Sequence, residues 1–308
     1  MDGDSLVHRA YHAYATAPEP RAVRRRNGLY GFAALLAACA DKTGASAVVV
    51  GFDCRTANLR RERYPAYKEG RTDKDPLLVD LLADAPAMLA DVGAAVRVEE
   101  GWEADDVCGS AAAAARAAGW RCTIATSDRD AFGLVSDTTT VLRLRSGMDN
   151  AVEVDPAQLR AQYKIGPAQY VQFAALRGDT SDNLPGVRGI GPAKAAVLLR
   201  HFPTVEEAVA DPIGIRSVLG PQLGQILIDD LADDASVFRR NIDLMTIRCD
   251  LTVVVDDCRP RVAAAQIERR LLAWDLGAVV ARLCRAIALR PDDQPPPPTD
   301  ADAPARSR

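Results

Sequence analysis

Short groups of acidic residues stand along this 308-residue chain at the places where β-strands are predicted to end. Asp53 closes the apolar run 47–52, and Asp128 follows the short run 121–126. Because side chains just past the carboxyl ends of parallel strands converge on one crevice, these acids should lie together. The members of the groups are Asp2, Asp53, Glu103, Asp105, Asp106, Asp128, Asp130, Asp179 and Asp182. The sequence therefore predicts a pocket built from carboxylates.

A pocket of this composition predicts bound divalent metal. Carboxylates that converge raise one another's pKa unless a cation lies among them. No nearby run of lysines or pair of histidines could neutralise all nine. Oxygen-only ligands select hard ions over zinc, so we predict Mg²⁺ or Mn²⁺.

Alternation of short β-branched runs with helical apolar patterns indicates an α/β fold with a mainly parallel central sheet flanked by helices. Strands are predicted at 46–53, 94–98, 121–126 and, late in the chain, 251–255; helices are predicted at 29–40, 76–92 and 103–118. We divide the chain into an α/β core (1–155), a helical subdomain (156–245), a return to the core (246–289) and a proline-rich tail (290–308). The tail has too few apolar residues to bury and is predicted to be disordered.

The distribution of charge along the chain favours a nucleic-acid partner more than the net charge does. A net charge of −4 alone argues against binding to phosphate backbones. The basic residues, however, cluster at 21–26 and at 55–74, and in 59–71 they alternate with Tyr64 and Tyr67. That composition suits stacking on bases together with phosphate neutralisation, although a solvated basic helix face is the plainer interpretation.

Cysteine and histidine usage excludes other kinds of site. The seven cysteines are scattered and form no C-x-x-C pair, which indicates reduced thiols in a cytoplasm. His8 and His12 have helical spacing, but no third His or Cys stands near them, so a zinc site is not predicted. The N-terminus lacks the features of a signal peptide, and we expect no secretion and no membrane span.

Two of the acidic groups have ordinary structural explanations. A predicted helix begins with Glu103, Asp105 and Asp106. Acids at a helix N-terminus cap the first turn and interact favourably with the helix macrodipole. Capping explains one or two of them, and three in four positions favour metal binding. The 126–130 loop is explained equally well by common turn chemistry.

The most specific local signal is the segment 178–196, which runs from two acids through a glycine-rich turn into a helix near Pro192. A tight turn between two helices is one interpretation. The functional one is a helix-hairpin-helix at 184–200, in which the N–H groups of Gly189–Gly191 and the charge of Lys194 face a phosphate.

Taken together, these motifs resemble the 5′→3′ exonuclease and flap endonuclease family, especially its bacterial form fused to DNA polymerase I. The resemblance spans residues 2 to about 285 and is carried by Asp2-Gly, Tyr30-Gly-Phe, Phe52-Asp53, Tyr67-Lys68 with Arg71, Glu103-Ala-Asp105-Asp106, Asp128-Arg-Asp130 and 178–191. It implies a PIN-like nuclease fold with a helical arch at about 55–85 and a helix-hairpin-helix subdomain.

The resemblance also implies roles for individual residues. Asp2, Asp53, Glu103 and Asp105 would hold one metal ion and Asp128, Asp130 and Asp182 a second, with Asp106 and Asp179 in support. The implied catalytic residues are Lys68, Arg71, Asp53, Asp105, Asp128 and Asp130. The implied DNA-binding residues are Arg60, Tyr64, Tyr67, Lys68, Arg71, Gly186, Arg188, Gly189, Gly191 and Lys194. Lys68 and Arg71 would meet the scissile phosphate, Tyr64 or Tyr67 would stack on a displaced nucleotide, and K⁺ would bind at the helix-hairpin-helix.

The implied activity is two-metal hydrolysis at 5′ ends, flaps, nicks and gaps of duplex DNA, and of RNA primers in RNA–DNA hybrids. The protein would be a free-standing cytoplasmic monomer that works beside a DNA polymerase and a ligase in replication and repair. Only Met1 precedes Asp2, whereas family members have a full strand there, so either the chain starts further upstream or a central strand is clipped and Asp2 poorly held. A DNA-binding protein that has lost catalysis and a PIN-type ribonuclease are the alternatives.

Overall fold

The computed structural model describes residues 1–71, 74–145 and 147–289, which form a helix-rich α/β structure. The α-helices are α1 (Gly3–Tyr14), α2 (Arg21–Thr43), α3 (Leu59–Arg63), α4 (Pro76–Asp91), α5 (Ala104–Ala117), α6 (Pro156–Tyr163), α7 (Tyr170–Arg177), α8 (Pro192–His201), α9 (Val205–Ala210), α10 (Pro212–Leu219), α11 (Pro221–Ala232), α12 (Val237–Met245), α13 (Ala264–Leu271) and α14 (Val279–Ile287). The strands are β1 (Val49–Phe52), β2 (Ala95–Val98), β3 (Cys122–Thr126), β4 (Thr139–Arg145), β5 (Gly147–Val154), β6 (Gly178–Asp179) and β7 (Leu184–Pro185). Within these ranges no helix is both long and apolar enough to cross a bilayer.

The main sheet is built in two parts that meet at Asp2. β1 pairs in parallel with β2, and β3 pairs in parallel with β4, which continues into an antiparallel hairpin with β5. Asp2 forms a parallel bridge with Gly51 on one side, and its N–H donates to the Ala125 carbonyl at 3.0 Å on the other. The carboxyl ends of β1 and β3 therefore lie on either side of Asp2, as the parallel arrangement predicts.

The predicted elements are confirmed with one error, and several elements, among them the β4–β5 hairpin, α1 and α14, are additional. The strands predicted around 46–53, 94–98 and 121–126 and the three helices are present. The late strand at 251–255 is wrong. The N–H of Leu251 donates to the Ser110 hydroxyl at 3.0 Å instead of to a strand, and a 3-10 turn follows at Val255–Cys258. The β4–β5 hairpin was not predicted.

Two hydrophobic cores hold the elements in place. The first lies between α1, α2, α4 and β1 and contains Phe32 and Phe52; α14 packs on α2 and contributes Leu283. The second joins the helices α7 to α12 to the end of β3 and contains Phe132 and Tyr170. The acidic pocket lies where residues from both cores meet.

The described residues of the predicted arch, at about 55–85, contain α3 and the first part of α4. α3 has five residues, and the chain then turns irregularly over residues 64–71 before α4 begins at Pro76. The turn lies against the sheet edge, because Tyr67 is buried and the Lys68 N–H donates to the Asp182 carbonyl at 2.9 Å. The predicted tail, 290–308, lies outside the described residues.

Candidate active site

An open cavity of about 730 Å³ lies at the carboxyl ends of β1 and β3. Of the predicted acids it is lined by Asp2, Asp53, Glu103, Asp105, Asp128 and Asp179. Asp130 is adjacent, since its carboxyl group interacts electrostatically with Asp128, Asp179 and Asp182. Eight of the nine predicted acids thus belong to one neighbourhood, formed from α1, β1, α5, the loop after β3 and the segment after α7.

Asp2 is firmly held, contrary to the expectation that a clipped strand would leave it loose. Its carboxylate caps α1 by accepting the Ser5 N–H at 2.8 Å and accepts the Thr126 hydroxyl at 2.6 Å. Burial, with a further contribution from Asp4 and Asp53, raises the pKa of Asp2 to about 7. A carboxylate fixed in a low-dielectric setting is suited to binding a cation.

Asp53 and Asp105 also have raised pKa values, because both are partly buried beside other carboxylates. Asp53 accepts the Ala104 N–H at 2.9 Å, and burial followed by the charges of Asp4 and Glu103 raises its pKa to about 6. Asp105 is half-buried, and its Oδ1 is buried without a hydrogen-bond partner. Burial and the charges of Asp2 and Asp128 raise the pKa of Asp105 well above its usual value.

Glu103 differs because basic groups surround it. Lys68 Nζ lies 2.5 Å from its Oε1, and the Tyr67 hydroxyl donates to its Oε2 at 3.0 Å. Burial alone would raise the pKa of Glu103, but Lys68 and Arg60 lower it. Glu103 is therefore ionised and already paired.

The second group of acids lies between the loop after β3 and the segment after α7. The Asp128 Oδ1 accepts the Asp130 N–H at 2.9 Å, whereas the Asp130 Oδ1 is buried without a partner. Burial, with Asp128 and Asp179 adding, raises the pKa of Asp130 to about 8. Asp182 forms a close ion pair with Arg71.

Two glycines explain how the acids after α7 are placed. Gly178 has φ +77°, and a Cβ there would lie 2.2 Å from the Gly186 nitrogen. A Cβ on Gly186 would in turn lie 2.3 Å from the Arg177 carbonyl oxygen. This close approach of two backbone segments accounts for glycine at both positions, and the DNA contact of Gly186 stays a prediction.

Asp106 and Arg60 form a buried structural ion pair, which contradicts their predicted roles. Asp106 is fully buried, and its carboxylate accepts from Arg60 Nη1 and Nη2 at 2.6 and 2.7 Å and from the Arg248 N–H at 2.9 Å. Arg60 Nε also donates to the Leu244 carbonyl at 2.8 Å. Both Asp106 oxygens already accept hydrogen bonds, and Arg60 is only 6% exposed, so neither side chain is free for its predicted role.

The two tyrosines predicted to stack on nucleotides are not equivalent. Tyr67 is 3% exposed and donates to Glu103, so it supports the carboxylate and cannot stack on a base. Tyr64 is half-buried, with the Arg240 guanidinium 4.7 Å from its ring centroid. Of the pair, only Tyr64 remains available for the predicted contact.

The predicted helix-hairpin-helix has an open helix N-terminus. α8 begins after Gly191, which has no side-chain cap and no atom within 4 Å of a built Cβ. Arg188, Gly189 and Lys194 are exposed beside it. The first-turn N–H groups of α8 lack intrahelical partners, so a phosphate could approach them.

The carboxylates of the cavity fit divalent cations in chemical kind and in charge, although they are not arranged around a single cation position. Over the described ranges, no three His, Cys, Asp or Glu side chains already stand close enough to hold a metal ion, and this includes His8 and His12. Basic side chains instead contact the acids: Lys68 at Glu103, Arg71 at Asp182 and Arg55 at Asp4. The partnerless oxygens of Asp105 and Asp130 are the observation that favours a cation, since a buried carboxylate oxygen without a partner is costly.

Sequence reasoning missed Asp4 and several basic residues of the cavity. Asp4 is buried, accepts the Asp53 N–H at 3.2 Å and pairs with Arg55 at 2.6 Å. The spacing Asp2-Gly-Asp4 was a usable signal, but an acid in the first turn of a helix is common. Arg143 and Arg177 also line the cavity, and nothing in their local sequence marks them.

The raised pKa values predict that divalent metal stabilises this protein more at high pH. Aspartates of an unfolded chain titrate near pH 4, so the folded, metal-free state binds the protons of Asp2, Asp53 and Asp130 more tightly. Their contribution to stability is complete below about pH 4 and is lost as the pH rises through 6 to 8. Ionised carboxylates bind metal, so the increase in melting temperature caused by Mn²⁺ should be larger at about pH 8.5 than at about pH 5.5. K⁺ at matched ionic strength is the control, and an equal Mn²⁺ effect at both pH values would contradict the assignment.

Comparisons with known proteins agree with this geometry. Residues 1–164 match the model of the 5′-3′ exonuclease N-terminal resolvase-like domain, and residues 165–266 match that of the 5′-3′ exonuclease C-terminal SAM fold. DNA polymerase I of Mycobacterium tuberculosis is 34% identical over 224 residues, which are 72% of this chain and 25% of that protein. The chain thus spans about a quarter of that relative.

Solved structures share the fold. The bacteriophage T5 5′-exonuclease with bound zinc ions superposes with a TM-score of 0.63 at 19% identity, covering 93% of this chain and 96% of the other. The catalytic core of Rad2 in complex with a DNA substrate gives a TM-score of 0.55 at 14% identity, covering 93% and 89%.

Proposed function

Because the chain belongs to the 5′-3′ exonuclease family of nucleases that act on DNA, we propose that it hydrolyses phosphodiester bonds at the 5′ ends, flaps, nicks and gaps of duplex DNA. The observation that carries the proposal is one cavity lined by six predicted acids, with Asp130 and Asp182 beside them, and by Lys68 and Arg71. The cavity combines carboxylates of raised pKa with a buried Asp105 oxygen that has no hydrogen-bond partner.

Two groups of carboxylates would hold the cations. Asp2, Asp53, Glu103 and Asp105 form the first group, and Asp128, Asp130 and Asp182 form the second, with Asp179 beside them. When bound, Mg²⁺ or Mn²⁺ would supply Lewis acidity and an activated water for attack on phosphorus. Asp106 is left out of the ligand set because Arg60 occupies its carboxylate.

Lys68 and Arg71 would bind the scissile phosphate. Both now neutralise predicted ligands, Glu103 and Asp182, and both line the cavity. In the metal-loaded enzyme the two side chains would be free to contact the phosphoryl oxygens. There their charge would offset the negative charge that develops in the transition state.

The open N-terminus of α8 would grip duplex DNA away from the cut, through the N–H groups after Gly191 and the charge of Lys194. K⁺ at this turn is part of the same proposal. The proposal also includes the removal of RNA primers and action beside a polymerase and a ligase in replication and repair. It further includes a monomeric state and a cytoplasmic location.

Comparing substrates tests the proposed function. With Mg²⁺, a 5′-flap duplex should be cleaved at least about tenfold faster than single-stranded RNA or an intact blunt duplex, since only the flap engages both the cavity and α8. Preferential cleavage of single-stranded RNA would favour the ribonuclease alternative. Tight flap binding without turnover would favour a protein that has lost catalysis, which the firm placement of Asp2 argues against.

A further inference from the structure

Two arginines of the active-site cavity have no counter-ion. Arg129, in the loop after β3, and Arg143, on β4, both line the cavity. Across the residues that the structure describes, neither forms an ion pair or a hydrogen bond to a carboxylate, and the Arg143 Nε is buried without a partner. The other cavity arginines are compensated, Arg71 by Asp182 and Arg177 by Asp179 at 3.6 Å.

The fold brings the two guanidinium groups to one wall and fixes one of them. Arg143 stands beside Thr126 in the β3–β4 register, so it lies at the same sheet edge as the loop that carries Arg129. Its guanidinium carbon lies 5.9 Å from the ring centroid of Phe132, a fully buried core residue. Burial and the charges of Arg129 and Arg145 lower the pKa of Arg143. Like charges held together without a counter-ion favour binding of an anion.

We propose that Arg129 and Arg143 form a second phosphate subsite, on a different wall of the cavity from Lys68 and Arg71. The ligand is a nucleic-acid phosphate, because guanidinium groups bind phosphate oxygens in a bidentate manner. It is either the terminal 5′-phosphate or an internal phosphate next to the scissile one. This subsite deepens the proposed function and rests on it. Its role is to hold the strand, so it should affect substrate binding more than the chemical step.

Matched variants and matched substrates test the subsite. Arg129→Gln and Arg143→Gln are compared with Arg145→Gln, an exposed position of β4 that does not line the cavity. Each is given nicked duplexes with a 5′-phosphate, with a 5′-hydroxyl, or with a neutral methylphosphonate at one internal position beside the cut. Cleavage kinetics are measured in Mg²⁺, and equilibrium binding is measured in EDTA.

Both cavity variants should raise KM and the dissociation constant by about tenfold with kcat changed less than about threefold, whereas Arg145→Gln should match the wild type. The difference in KM and dissociation constant between variant and wild type should vanish on the one substrate that lacks the contacted phosphate. That substrate identifies the contacted phosphate as terminal or internal. Equal losses on all three substrates, or no loss, would overturn the subsite. A wild-type protein that binds but does not cleave would instead refute the proposed function, while the binding comparison would still test the subsite.

Discussion

Replacing Asp128 by Asn is expected to slow cleavage of a 5′-flap duplex by on the order of 10³-fold while changing DNA affinity by less than about threefold. Asp128 is exposed at the cavity, and its Oδ1 accepts the Asp130 N–H at 2.9 Å. The Asn side-chain oxygen can accept the same hydrogen bond, so the loop keeps its shape. Only the negative charge needed for a bound cation is removed.

Asp137→Asn is the matched control for this prediction. Asp137 is an exposed aspartate of the next turn and does not line the cavity, so its variant should cleave as the wild type does. Single-turnover rates at saturating enzyme would separate the chemical step from binding. An Asp128→Asn protein that retains more than about a tenth of the wild-type rate would remove Asp128 from the proposed ligands.

Replacing Arg60 by Met is expected to lower the free energy of unfolding by about 3–5 kcal/mol, because it leaves the buried Asp106 carboxylate without its counter-ion. Arg60 is 6% exposed, and its loss also frees the Leu244 carbonyl that ties α3 to α12. Urea denaturation monitored by circular dichroism would measure the change.

Arg63→Met on the same helix provides the comparison. Arg63 pairs with Asp243 at 3.1 Å, but both side chains are more than half exposed, so its removal should cost less than about 1 kcal/mol. Similar costs for the two variants would show that the Arg60–Asp106 pair has no special structural role.

Much of the acidic site could be predicted because each acid stands next to a strong local signal. Asp53 and Asp128 follow apolar β-branched runs, and parallel pairing brings such strand ends together whatever the remaining details. Asp106 could not be assigned in this way. Its partner Arg60 is distant in sequence, and an acid in the first turn of a helix looks the same whether it binds a metal ion or a buried guanidinium.

Other features also depend on tertiary contacts that the local sequence does not show. The segment 251–255 has strand composition, but the Ser110 hydroxyl takes the N–H of Leu251, and tertiary context overrides propensity there. The resemblance implies an arch at about 55–85, but nothing in its local sequence shows that Tyr67 is buried there and donates a hydrogen bond to Glu103. Arg143 reaches the cavity because β4 pairs with β3, and β4 is not among the predicted strands.

Cleavage of a 5′-labelled flap duplex by the wild-type protein in Mg²⁺, in Mn²⁺ and in EDTA tests the central claim most directly. The carboxylate pocket predicts short 5′-labelled products with either metal, no products in EDTA, and recovery of cleavage when metal is restored. Cleavage that persists undiminished in EDTA, or binding without cleavage in both metals, would contradict a metal-dependent 5′ nuclease.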